Sequence, residues 1–167
     1  TSCGKLMPGM QAFIDKENAD DTFGEIVVKG DNVMLGYYND PEQTAAVLNN
    51  GWFRTGDYGY IDEKGYLYIT GRKKNIIISS SGKNVFPEEI ETLVNLSPAV
   101  KECIVYAEGD NICCKTVADE NFEGNCEEAI AKHIEEVNDK LINYKKISRY
   151  TIQMDEMAKT TTGKNKR

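Results

Sequence analysis

Four consecutive polar residues, Arg72-Lys73-Lys74-Asn75, divide the chain into two stretches of different texture, and any fold must accommodate that division. Upstream, short β-type runs alternate with turn residues. Glu25-Ile26-Val27-Val28-Lys29 suits a strand. Asp40-Pro41-Glu42-Gln43 opens a helix: Asp40 is a good N-cap, Pro41 fits the first helical position, and Gln43 can complete a capping box. Asn49-Asn50-Gly51 stops that helix, and Trp52-Phe53-Arg54-Thr55-Gly56-Asp57 reads as a loop after it. Asp62-Glu63-Lys64-Gly65 is a turn leading into the alternating run Tyr66–Thr70.

Downstream, the patterns mix. Ile76-Ile77-Ile78 reads as a strand, and Ser79-Ser80-Ser81-Gly82-Lys83-Asn84 as a loop of small residues. Pro87 opens a helix with Ile90, Leu93 and Val94 on one face. Strands are expected near Cys103–Tyr106, Ile112–Val117 and Arg149–Met154. A second helix is marked by Ile130, Ile134, Val137 and Leu141. The expected class is α+β, with a mainly β stretch over 1–71 and a small α+β domain over 76–167, joined at 72–75.

The 167 residues, 40% hydrophobic, suffice for one good core or two small ones. A net charge of −7 argues against non-specific nucleic-acid binding, which needs a basic surface, but leaves a local phosphate site possible. The five cysteines (Cys3, Cys103, Cys113, Cys114 and Cys126) are odd in number and include no Cys-x-x-Cys pair. They read as reduced thiols of a cytoplasmic protein. With one histidine there is no zinc-type ligand spacing, so no metal site is expected. His133, beside the apolar face of its helix, reads as a boundary residue and not a base. No apolar run approaches the ~20 residues that span a membrane, which leaves peripheral association open. The opening Thr1-Ser2-Cys3-Gly4-Lys5 reads like the middle of a longer polypeptide.

Four segments have residue types suited to nucleotide chemistry, although each taken alone reads as an ordinary turn, loop or tail. In Thr55-Gly56-Asp57, a carboxylate has two oxygens spaced for vicinal hydroxyls. In Gly71-Arg72-Lys73-Lys74, Arg72 can aim a fork of donors at ribose or phosphate oxygens. The loop of small residues over 79–84 lets backbone approach a ligand, though it is not a Walker P-loop. Lys159-Thr160-Thr161-Thr162-Gly163-Lys164 sets a lysine on a Gly-hinged turn.

In order and spacing these segments resemble the adenylate-forming superfamily, which includes acyl-CoA synthetases, luciferases and peptide-synthetase adenylation domains. The residues that carry the resemblance are Gly24-Glu25-Ile26, Gly36-Tyr37-Tyr38-Asn39-Asp40-Pro41-Glu42-Gln43-Thr44, Trp52-Phe53-x-Thr55-Gly56-Asp57, Gly71-Arg72-Lys73-Lys74, Pro87-Glu88-Glu89-Ile90-Glu91 and Thr162-Gly163-Lys164. They run nearly end to end. Lys73–Ile78 with Gly82-Lys83-Asn84-Val85 looks most like long-chain fatty acyl-CoA ligases. The family commonly has Pro where Ala158 stands and an aliphatic residue where Asn165 stands.

The resemblance implies that residues 1–71 form a β-barrel-like end of the large AMP-binding domain, 72–75 the hinge, and 76–167 the mobile lid. It implies that Asp57 holds the ATP ribose, that Arg72 contacts ribose or phosphate, and that Lys74 is the hinge residue. Ser81, Gly82 and Lys83 would line the CoA channel, and Lys164 would be the catalytic lysine of adenylation. The implied substrates are a fatty acid, Mg-ATP and CoA. No tight ligand and no ligase activity are expected of this stretch alone, because no upstream phosphate loop or acyl pocket is in it. Two other readings stay open: an adenylating domain that loads a carrier-protein pantetheine, and a non-catalytic module that binds a partner through its acidic surface.

Overall fold

A computed structural model describes residues 2–19 and 21–159. The chain divides into two compact units between Asn75 and Ile76.

The first unit is built on one antiparallel sheet. Its elements are β1 (Gly4–Lys5), β2 (Gln11–Asp15), β3 (Gly24–Lys29), α1 (Pro41–Val47), β4 (Leu48–Asn49), β5 (Trp52–Ile61) and β6 (Tyr66–Arg72), followed by a 3-10 turn at Lys73–Asn75. The strand order is β1-β6-β5-β3-β2, with β4 also pairing on β5. The sheet is open: β1 and β2 stand at opposite ends of this order, so the barrel-like closure expected from the resemblance is not formed. Asp40 caps α1 by accepting the Gln43 N–H at 2.9 Å, while the Asp40 N–H donates to the Tyr37 carbonyl.

The segment Trp52–Asp57, expected as a loop, makes up the first six residues of the ten-residue strand β5. Its aromatic residues find partners across the sheet. Phe53 pairs with both Val28 and Leu48, and Trp52 meets Phe13 edge-on at 5.0 Å. The Thr-Gly-Asp turn signature marks a bulge inside the strand and not its end.

The second unit contains the short hairpin β7 (Ile77–Ile78) and β8 (Asn84–Val85), then α2 (Pro87–Val94), β9 (Val100–Glu108), β10 (Asn111–Ala118), α3 (Cys126–Lys140), a 3-10 turn at Asn143–Lys145 and β11 (Arg149–Gln153). β9 and β10 pair antiparallel, and β11 returns parallel to β10 through the long α3 connection. Asn125 caps α3 by accepting the Glu127 and Glu128 N–H groups. The helices bury Ile90, Val94, Ile130, Ile134 and Val137 against Val105, Ile112 and Cys114 of the sheet. Asn138 fixes the chain after α3 by bonding the Ile147 peptide from both sides, at 2.8 and 3.0 Å. His133 Nε2 lies 3.0 Å from the Leu93 carbonyl, which ties α3 to the end of α2. All five cysteines are free thiols. Among the described residues, no helix is long and apolar enough to cross a membrane.

Ile130 is fully buried in this core. Ile130→Ala is expected to destabilise the second unit by roughly 2–5 kcal/mol, measured as the shift in its urea unfolding transition by circular dichroism. A loss below half a kcal/mol would mean that the α3 face is not the core of this unit.

Candidate functional site

The β3–β5 ladder places the site. Val27 pairs with Arg54 and Glu25 pairs with Tyr58, so Thr55, Gly56 and Asp57 stand opposite Ile26 alone. The surplus residues are thrown out of the ladder as a bulge. Gly56 adopts φ +70°, which a side chain resists, and this explains a glycine between Thr55 and Asp57. The bulge is closed by its own groups. Thr55 Oγ1 donates to the Ile26 carbonyl at 2.7 Å and accepts the Asp57 N–H at 3.1 Å.

Beneath it sits Glu25, 4% exposed in a strand whose neighbours are apolar. A buried carboxylate requires partners, and this one has three. The Gly56 N–H donates to Oε1 at 3.2 Å, while Arg54 Nη1 at 2.6 Å and Lys73 Nζ at 2.9 Å share Oε2. Arg54 also binds Asp15 through Nη2 at 2.5 Å. Burial alone would raise the Glu25 carboxyl, but Lys73 and Arg54 outweigh burial and hold it below its ordinary value.

The β5–β6 ladder pairs Asp57 directly with Arg72. Arg72 Nε contacts Asp57 Oδ1 at 2.8 Å, and Nη1 donates to the Thr55 carbonyl at 3.3 Å. The Arg72 side chain is 48% exposed and that of Asp57 26%, so both reach solvent. An ion pair this exposed contributes only about 0–1 kcal/mol to stability. Its groups are therefore cheap to redirect toward a ligand. The arrangement offers an acceptor pair, a planar donor fork and a nearby cation, a set suited to a polyhydroxylated anion such as a nucleotide. Lys74 is exposed within the 3-10 turn that follows Arg72.

The other predicted residues lie elsewhere. Ser81, Gly82 and Lys83 form the turn between β7 and β8, in the second unit. The Gly82 N–H donates to the Ser79 carbonyl, the Lys83 N–H to Ser79 Oγ, and Ser79 Oγ lies 3.0 Å from Ser81 Oγ. Gly82 has φ +71° and open space around it, so the turn and not crowding requires glycine there. Lys164 lies outside the described residues. Glu25, Arg54 and Lys73 form a network that no single sequence motif marks. The signal was present: a carboxylate in an otherwise apolar strand calls for cationic partners. An open groove of about 430 Å³ between α1 and β5 is lined by Phe13, Ala46, Trp52 and Arg54; neither Asp57 nor Arg72 lines it.

Glu25 yields a pH prediction. Its folded pKa is depressed, so its contribution to stability is present above the ordinary value of 4.5 and lost as pH falls through the folded value. The single Trp52 lies in this unit, and its fluorescence reports on it. Unfolding followed at Trp52 is expected to show wild type more stable than Glu25→Gln at pH 7, with the gap narrowing below about pH 4.5. A gap independent of pH would mean that Glu25 is not the charged partner of Lys73 and Arg54.

A family model described as the AMP-binding enzyme C-terminal domain matches residues 74–167. The chain is 39% identical over 167 residues to an indoleacetate–CoA ligase from Aromatoleum aromaticum, covering 98% of this chain and 32% of that protein. It is 44% identical over 121 residues to a long-chain-fatty-acid–CoA ligase from Bacillus subtilis, covering 70% of this chain and 21% of that one. Among solved structures it resembles the o-succinylbenzoate CoA synthetase of Bacillus subtilis in complex with its acyl-adenylate intermediate. That match has a TM-score of 0.82 at 29% identity, covering 98% of this chain and 34% of that one. The chain thus spans about a third or less of the proteins it matches.

Proposed function

Because this chain belongs to the adenylate-forming, AMP-binding enzymes as a C-terminal portion, we propose that it carries the nucleotide contacts and the lid of an ATP-dependent acyl-CoA ligase. The observation that supports this best is the Asp57–Arg72 pair, set on a bulge at the end of the β5–β6 ladder. It stands next to Lys74, where the family match begins. Asp57 accepts the ribose hydroxyls, and Arg72 swings from Asp57 and Thr55 toward ribose or phosphate oxygens. Residues 72–75 serve as the hinge, with Lys74 as its pivot, and 76–167 as the lid.

In the first half-reaction a carboxylate oxygen of the acid attacks the α-phosphorus of ATP. The bond to pyrophosphate breaks, and an acyl-adenylate forms. In the second, the CoA sulfur attacks the acyl carbon and AMP leaves. Lys164 serves the first by placing an ammonium against charge that develops on phosphate oxygens. The Ser81-Gly82-Lys83 turn serves the second by giving the pantetheine arm a low-relief surface. Among the described residues no group of three His, Cys, Asp or Glu converges to hold a metal ion. The acid is a carboxylic acid activated as its adenylate. The long-chain reading rests on Lys73–Ile78 and Gly82–Val85, whereas the relatives act on indoleacetate as well as long-chain fatty acids.

The test uses the complete polypeptide that carries this chain. Lys164→Ala is expected to lower ATP–pyrophosphate exchange by on the order of 100- to 1000-fold. It should leave thioester formation from preformed acyl-adenylate and CoA near normal. Equal losses in both assays would remove Lys164 from the chemistry of adenylation. A wild-type polypeptide that exchanges no pyrophosphate with any of a panel of aliphatic and aryl acids would remove the ligase reading itself. The 167-residue chain alone is expected to bind ATP with Kd weaker than about 1 mM, and calorimetric binding near 1 μM, about −8 kcal/mol, would contradict the division of labour.

A further inference from the structure

The three residues given functional roles on the first unit, Asp57, Arg72 and Lys74, each stand one position from a group that Glu25 holds. Asp57 follows Gly56, whose N–H donates to Glu25 Oε1. Lys74 follows Lys73, whose ammonium binds Glu25 Oε2 at 2.9 Å. We propose that Glu25 is a positioning residue that locks the Asp57 bulge and the approach to the Lys74 pivot into one frame. The lid then turns from Lys74 onward while the Arg72 backbone stays in the β5–β6 ladder opposite Asp57, and its side chain is free to change partner. The inference rests on the ligase reading above.

The geometry supports a positioning role over simple packing. The Glu25 side chain is 6% exposed, while those of Lys73 and Arg54 are 51% and 45% exposed. A carboxylate so placed loses its hydration, and a well-packed apolar side chain at such a site is often as stable or more so. Stability alone is a weak reason for its presence. What the carboxylate does, and an apolar group would not, is join three donors distant in sequence. Arg54 and Gly56 flank Thr55, at the start of the bulge, and Lys73 is the first residue of the turn after β6. Arg72, between the two anchored ends, is thereby set for its contacts with Asp57 and Thr55. Without the Lys73 tie, rotation could begin one or two residues earlier and carry Arg72 away from the nucleotide.

Two variants separate the two arms of Glu25. Lys73→Ala removes a half-exposed side chain and leaves Glu25 paired with Arg54. In the complete ligase it is expected to slow thioester formation from preformed acyl-adenylate about tenfold through misplacement of the lid, with KM for ATP within about twofold of wild type. Lys73→Arg restores the charge and should restore the rate. Glu25→Ala releases the Gly56 N–H as well. In the 167-residue chain, amide exchange at Gly56, read by NMR, is expected to accelerate at least about tenfold. In the complete ligase KM for ATP should then rise by a similar factor.

Three results overturn the proposal: Lys73→Ala with wild-type rates in both half-reactions; Lys73→Ala slowing both equally in step with a lowered Tm; or a folded Glu25→Ala, judged by Trp52 fluorescence, with unchanged exchange at Gly56. A wild-type polypeptide without pyrophosphate exchange overturns the ligase reading and the kinetic role of Glu25 together. That failure is distinct, because it is seen before any variant is made.

Discussion

A carboxylate placed in an apolar strand has to be answered by positive charge or hydrogen-bond donors, and much of the first unit is arranged around that demand. Glu25 lies between Gly24 and Ile26 on β3, the strand that stands between edge strand β2 and the central β5. Its partners cannot come from its own strand, whose backbone groups are used by the ladders. They come from Arg54 and Gly56 on β5 and from Lys73 beyond β6. The bulge at Thr55–Asp57 allows this. A regular ladder would keep the Gly56 N–H in strand register and not leave it to a side-chain acceptor. The bulge and the buried charge thus depend on each other.

Charge–charge contacts in this unit differ in exposure, and exposure decides their use. The Glu25 contacts are shielded on one side, so breaking one leaves a poorly solvated charge and costs considerably more than a surface pair would. The Asp57–Arg72 contact is open to water and weak. A strong inner network under a weak outer pair gives side chains that are fixed in place but free to change partner. A ligand that offers hydroxyls to Asp57 and anionic oxygens to Arg72 would lose little in parting them. Were the burial reversed, with Asp57 deep and Glu25 exposed, the ligand would have to break a costly pair first.

The elements with a strong local pattern were legible in the sequence. The Ile130, Ile134 and Val137 stripe gave α3, and Asp40-Pro41 gave the start of α1, because capping and helical spacing act within a few residues. The bulge was misread as a loop because a glycine at positive φ with Thr and Asp beside it signs a turn and a bulge alike. Only pairing with β3 on one side and β6 on the other tells them apart. Whether the sheet closed was likewise beyond local pattern, since closure depends on its two edge strands meeting. Asp57 and Arg72 were singled out from their motifs. That they are direct cross-strand partners follows from a register that no single strand encodes. Glu25 falls within the Gly24-Glu25-Ile26 motif, yet its partners lie 29 and 48 residues away.

The spread of relatives bears on what such a chain can contribute. It is comparably similar to a ligase of indoleacetate and a ligase of long-chain fatty acids, 39% and 44% identical over the aligned residues. A flat aryl acid and a long alkyl acid need differently shaped pockets, because burying each depends on close contact along its own outline. Residues shared with both proteins are poor candidates for telling those acids apart. ATP and CoA, by contrast, present the same ribose, phosphates and pantetheine whichever acid is activated. On the ligase reading proposed above, the Asp57–Arg72 pair and the Ser81–Lys83 turn are assigned to the parts of the reaction that do not vary, and the Glu25 network to holding that pair in place. A change of acid specificity could leave all three intact.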